Sequence, residues 1–237
     1  YQQFKHLFEI ILSNQNTNTL DIFNNLTQNK KTREIFEKYK LNYSLWVADY
    51  PISYEDFENI GISKLSYRVQ KANMNDIRHA AFLGDDSNCC TKAGNGLYKT
   101  SALPYVENKL VTAIEVVCDG NVVGNAMCFI GIVDSKPSII IDDIEFKETD
   151  YDCDYFAAGM FSYSKQLAKE IGGYGTPVYL AGNKHKISLS TEKTYKDIDI
   201  LGCTDSDPIY VSFLRVPIFL DESGISFFPN VELREIV

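Results

Sequence analysis

The sequence predicts an α+β domain preceded by a helical region, and three observations carry that expectation. Between Ser138 and Gly182 an apolar strand (SIIIDDIEF), an acidic turn (KETDYDCD), an amphipathic helix (YFAAGMFSYSKQLAKEI), a Gly-Gly stop and a second strand (PVYLAG) follow one another, which is the order of a βαβ unit. Upstream, LVTAIEVVCDG and NVVGNAMCFIGIV meet at Asp119-Gly120-Asn121, a strong hairpin signal because both turn positions tolerate positive φ. Before Leu65 the periodicity is helical instead.

From Tyr1 to about Lys64, short amphipathic runs (FKHLFEIIL, LDIFNNL, KTREIFEKY, YEDFENI) are separated by Asn-rich or Pro-containing breaks. Ile35, Phe36 and Tyr39 fall on one helical face. This predicts a helical subdomain over residues 1–64 ahead of a main domain over 65–237, with the single Trp46 packed between helices. In LSYRVQKA the residues alternate as in a strand, and NMNDIRHAAFLG reads as a short helix capped by Asn73 or Asn75 and ended by Gly84. The hairpin comes next, then a turn from Asp134 to Pro137, then PSIIIDDIEF, giving three strands expected to form an antiparallel meander. In the following helix Phe156, Met160, Leu167 and Ile171 form one stripe for burial, while Lys165, Lys169 and Glu170 are left to solvent. Gly172 and Gly173 end it. PVYLAG reads as a buried strand, SLSTEKTYKDI as a helix opened by a Ser or Thr cap, and IYVSFLRVPIFL as one or two closing strands.

Composition narrows the function classes. The 237 residues are 45% hydrophobic, enough for a substantial core, and carry a net charge of −9 that opposes polyanions, so a nucleic-acid partner is not expected. No apolar run reaches the roughly 18 residues of a membrane span, and the start lacks the cationic region and cleavage site of a secretion signal. The chain begins with Tyr1, as a processed or excised segment would. Six scattered cysteines with no CxxC pair suit a reducing, cytoplasmic setting better than a disulfide framework or a zinc site. The three histidines are separated and lack HExxH spacing, which argues against a catalytic metal.

From Leu65 to about Leu220 the element order resembles the fold of the GNAT N-acetyltransferase family. YRVQKANMNDIRHAAFLG is similar to that family's first strand and helix, DGNVVGNAMCFIG to its second and third strands with Val123-Gly124, and YLAGN followed by KTYKDIDILG to its fifth strand, trailing Asn183 and fourth helix. The resemblance implies an acyl-CoA site where the fourth and fifth strands splay apart, with the pyrophosphate on amides at the start of the intervening helix, in a loop of form Q/R-x-x-G-x-G/A. The aligned segment is Asp154 to Gly159, and only Gly159 matches the pattern; Asp150, Asp152 and Asp154 add carboxylates that repel a pyrophosphate. Implied cofactor contacts are Ile144, Phe156, Ala157, Ala158, Gly159, Met160 and Asn183. Acetyl-CoA or another acyl-CoA would be the donor, and a small-molecule or protein amine the acceptor. Strand alternation puts Asp143 and Glu145 on one face, with Asp142 opposite, making Asp143 or Glu145 the candidate general base and Tyr195 the candidate acid for the leaving thiolate.

A second reading comes from LGDDSNCCTKAGNG, where Ser87 or Asn88 would cap a helix starting at Cys89. A cysteine at a helix N-terminus has its thiolate stabilised. Cys89 or Cys90 as nucleophile, His185 or His79 as base and Asp142 or Asp143 as orienting group would make a thiol-dependent hydrolase or transferase. A third reading is an inactive GNAT-like module that binds a protein or peptide.

Overall fold

The computed structural model describes residues 36–47, 67–73, 111–147, 153–181, 193–201, 209–211, 216–218 and 225–236. In chain order its elements are α1 (Tyr43–Val47), β1 (Tyr67–Lys71), β2 (Val111–Cys118), β3 (Asn121–Val133), β4 (Lys136–Phe146), α2 (Cys153–Gly172), β5 (Val178–Ala181), β6 (Lys193–Leu201), β7 (Ile209–Val211), β8 (Val216–Ile218) and β9 (Ile225–Glu235). One large mixed sheet with few helices, as an α+β chain should show, holds the strand order β1-β2-β3-β4-β5-β9-β6; β7 and β8 form a separate antiparallel pair.

Turn chemistry sets the meander. Asp119 and Gly120 adopt φ of 50° and 80°, and Asp134 and Ser135 adopt φ of 49° and 67°. Two successive positive-φ residues match the twist of the strands they join, so each makes a tight hairpin. β2, β3 and β4 follow as antiparallel neighbours, with β1 on the outer edge of β2. β4 then passes through α2 to β5, which pairs with it in parallel, Ile139 to Val178 and Ile141 to Leu180. The expected βαβ unit is therefore present. Gly173, at φ 87°, ends α2, and Phe156, Met160, Leu167 and Ile171 are all buried beneath it.

Two apolar layers result. On the α2 face, Val69, Ile114, Val116, Ile139, Ile141 and Ile144 pack against Met160, Tyr163, Leu167 and Ile171, joined by Phe36, Leu41 and Trp46 of the helical region. Trp46 is buried there, and the Asn42 backbone N–H donates to the Ile171 carbonyl at 2.7 Å. On the other face the sheet curls into a ring. β3 pairs with β4, β4 with β5, β5 with β9, β9 with β6, and β6 returns to β3 through Gly131 to Val133. Phe129, Val133, Ile140, Tyr179, Ala181, Ile198, Val231 and Leu233 fill the interior. A Cβ on Gly131 would run into the Ile140 side chain, so the missing side chain leaves Ile140 its place in the ring; the Asp199 carbonyl of β6, at 3.5 Å, would be in ordinary contact.

Two expectations need correction. KTYKDI is not helical but opens β6, and Tyr195 consequently lies on a strand, opposite Glu232 of β9. β9, the strand that completes the ring, follows Leu220, where no strand was expected. IYVSFLRVPIFL does contain two strands, β7 and β8, and among the described residues they pair with each other and not with the large sheet.

Because Ile140 and Leu233 are both fully buried in the ring, Ile140→Ala and Leu233→Ala should each cost about 2–5 kcal/mol. Chemical denaturation measures this, and a loss below about 1 kcal/mol at both sites would show the ring to be loosely packed.

Candidate functional site

β4 and β5 run parallel, so their carboxyl ends lie together, where open sheets of this kind commonly place ligands. Ile141–Leu180 is the last described pair between them, while β4 continues to Phe146. The register of β4 on β3 changes at that point: Cys128 faces Ile141, but Ala126 faces Ile144. β4 thus spends one residue more than β3, a bulge at Asp142–Asp143.

The bulge interrupts the alternation of faces along β4. Ile144 is buried among the residues beneath α2, and Phe146 packs against the same cluster. Glu145 therefore belongs to the opposite face from Ile141, although the two are four residues apart. Asp142 is buried at the bulge. Tyr195 directly precedes Lys196, whose ammonium reaches Asp134 of the β3–β4 turn, so the expected acid stands toward the amino end of β4, away from the carboxyl end of the β4–β5 pair.

α2 begins six residues after β4 ends, at this same end. The amides without helical partners are those of its first turn, Cys153 to Phe156, whereas Ala158, Gly159 and Met160 among the implied cofactor contacts lie one turn further into the helix. Phe156, Ala157 and Met160 are core residues, and Ala158 is exposed. Gly159, which carries the motif resemblance, has a packing role: a Cβ there would stand 2.8 Å from Tyr67 Oη and 3.2 Å from Val69 Cγ2, so the missing side chain lets α2 approach β1. Asp154 is exposed in the first turn. Cys89, Cys90, His185 and Asn183 lie outside the described residues, as does His79.

On the face opposite α2, the register brings four polar residues into one row across four strands: Gln70 on β1, Glu115 on β2, Asn125 on β3 and Glu145 on β4. Gln70 Nε2 donates to Glu115 Oε1 at 2.5 Å. Glu115 and Asn125 are 2% and 4% exposed, and Glu145, at the mouth, is half-buried. Sequence reasoning found only Glu145. The available signal was Glu115 and Asn125 interrupting the apolar runs LVTAIEVV and NVVGNAMCF, but only the register aligns them.

Beneath α2 the buried Lys71 donates its ammonium to the carbonyls of Trp46 and Leu45, the latter at 3.3 Å, and so holds the C-terminal end of α1. Burial pushes the Cys128 thiol far above its ordinary range, with Asp142 adding to the rise and Lys71 opposing it. At the other end of the sheet a groove of about 320 Å³ is lined by Tyr39, Asp134, Ser135, Asp197, Ile198 and Asp199. Lys196 spans Asp134 there at 2.6 Å. It lies by the β3–β4 turn, at the amino end of β4, away from the mouth. Among the described residues no His, Cys, Asp or Glu cluster is fit to hold a metal, and no helix is long and apolar enough to cross a membrane.

No family model matches the chain, and no curated protein matches it. Among solved structures it is similar to a conserved protein of unknown function from Enterococcus faecalis V583, called a probable N-acyltransferase, at TM-score 0.37 and 12% identity. That similarity covers 57% of this chain and 34% of the other, so the match spans about a third of the bacterial protein's length.

Two measurements check the geometry. Gly159→Ala should destabilise by about 1–3 kcal/mol through overpacking, and a double-mutant cycle with Tyr67→Phe should recover part of it; strict additivity would show that Tyr67 is not the obstacle. Cys118 and Cys128 are both buried free thiols and should resist alkylation of the native protein at pH 8. Peptide mass spectrometry showing rapid modification of Cys128 would contradict its burial.

Proposed function

We propose that the chain is an N-acyltransferase of GNAT-like architecture, moving an acyl group from acyl-CoA to an amine of a small molecule or protein. The observation that carries this reading is the mouth between β4 and β5: parallel pairing whose last described pair is Ile141–Leu180, a bulge immediately beyond it, and the N-terminus of α2 at the same end. The meander followed by this βαβ crossover agrees with the family resemblance drawn from the sequence.

Each part has a chemical use. The free amides of Cys153 to Phe156 and the positive end of the α2 dipole suit a pyrophosphate. The Asp154 carboxylate opposes that charge, but it is exposed and can remain in solvent rather than over the amides. The acceptor nitrogen attacks the thioester carbonyl carbon, the C–S bond breaks, and the amide C–N bond replaces it. Glu145, on β4 at the mouth, takes the proton that the amine loses, directly or through a water. The departing thiolate takes its proton from solvent, because Tyr195 stands toward the β3–β4 turn rather than at the mouth.

Acetyl-CoA at a hundredfold excess over its Kd should stabilise the chain by about 2.7 kcal/mol in a thermal-shift measurement. Glu145→Gln should keep that stabilisation and lose about 10²–10⁴-fold in amine acetylation. Absence of any shift with acetyl-CoA or CoA would remove the acyltransferase reading.

A further inference from the structure

We propose that Asn125 is the positioning residue for Glu145, with Glu115 and Gln70 fixing the direction in which its carboxamide points. The role given to Glu145 rests on the acyl-transfer reading; the geometry of the row does not. A buried carboxamide must place its two N–H donors and its carbonyl oxygen. Asn125 is 4% exposed and stands directly between Glu115 on one side and Glu145 on the other. Its same-face neighbour further along β3 is the apolar Met127, packed toward the interior of the ring.

Directly opposed residues in antiparallel strands have Cα atoms about 4.5–5.5 Å apart, so both carboxylates are within reach of one short side chain. An ionised carboxylate only accepts. The Asn125 nitrogen therefore gives one N–H to each neighbour. Gln70 donates to Glu115 Oε1 at 2.5 Å from the outer strand, and Asn125 faces the same residue from β3. The row alternates donor, acceptor, donor, acceptor from β1 to β4. The carboxamide holds one Glu145 oxygen and so sets the direction from which the carboxylate meets the acceptor amine. With Asn125 shortened, the carboxylate gains rotational freedom, and a misplacement of about 1 Å can cost on the order of 100-fold in rate.

The test reads the Asn125 side-chain amide by NMR in the full chain. Both Nδ2 protons should exchange slowly with solvent in the wild type; Glu145→Gln should shift one of them and Glu115→Gln the other. The wild-type exchange rate needs no variant, so it is decisive even where a substitution unfolds the sheet. Exchange at the rate of a solvent-exposed amide, or an Asn125 signal indifferent to Glu145→Gln, overturns the proposal. In the acetylation assay, Asn125→Ala should lower kcat about 10–100-fold and leave the KM for acetyl-CoA unchanged; a KM effect alone also overturns it. An Asn125 signal coupled to Glu145 in a protein that acetyl-CoA does not stabilise would support the row and remove the acyl-transfer reading instead.

Discussion

Strand β3 has two partners on a single edge, and the division between them organises the molecule. Residues up to Phe129 pair on that edge with β2, while Gly131 to Val133 pair with β6. A backbone edge can be satisfied only once along its length, so β2 must leave where β6 arrives. The opposite edge belongs to β4 throughout. The half of β3 next to β6 is enclosed and lined with Phe129 and Val133. The half next to β2 stays in an open sheet, and only there does the same face carry Glu115, Asn125 and Glu145. Apolar ring and polar row are two ends of one surface, separated by the change of partner.

The bulge in β4 does for the face what β3 does for the edge. Without an extra residue, Ile141 would be followed on its side by Asp143 and Glu145, and two carboxylates would be directed into the layer beneath α2, at a cost of several kcal/mol. With it, Ile144 and Phe146 continue the apolar layer and Glu145 joins the row. A feature that protects the core thus also delivers the carboxylate to the mouth. Lys71 shows a related economy: its charge is buried, yet it satisfies the carbonyls at the end of a five-residue helix that is too short to persist alone.

Much of this was legible in the sequence, and the failures have identifiable causes. The hairpins were readable because Asp119-Gly120 states its own backbone conformation, and α2 because its apolar stripe repeats over 20 residues. KTYKDI was misread because Lys, Glu and a preceding Thr favour a helix locally, while its pairing with both β9 and β3 is decided by residues far along the chain. In ISFFPNVELRE the Pro229-Asn230 pair resembles a loop; in the structure Asn230 takes φ 56° at an irregularity in the ladder, with its N–H donating to Asp197 Oδ1 at 2.8 Å. Glu145 was found from its neighbourhood in the chain. Gln70, Glu115 and Asn125 were not, since no two share a local motif and only strand register makes them neighbours. Gly159 misled for the opposite reason, matching a ligand motif while serving the contact of α2 with β1.

The position of β9 has a temporal consequence. It is inserted between β5 and β6, although both precede it in the chain. While a ribosome is still adding residues 202–224, each of those two strands presents a row of unpaired amides and carbonyls, and the ring interior faces water. Such a nascent chain exposes sticky edges until its final described strand emerges, and this interval is the natural point for a chaperone to act.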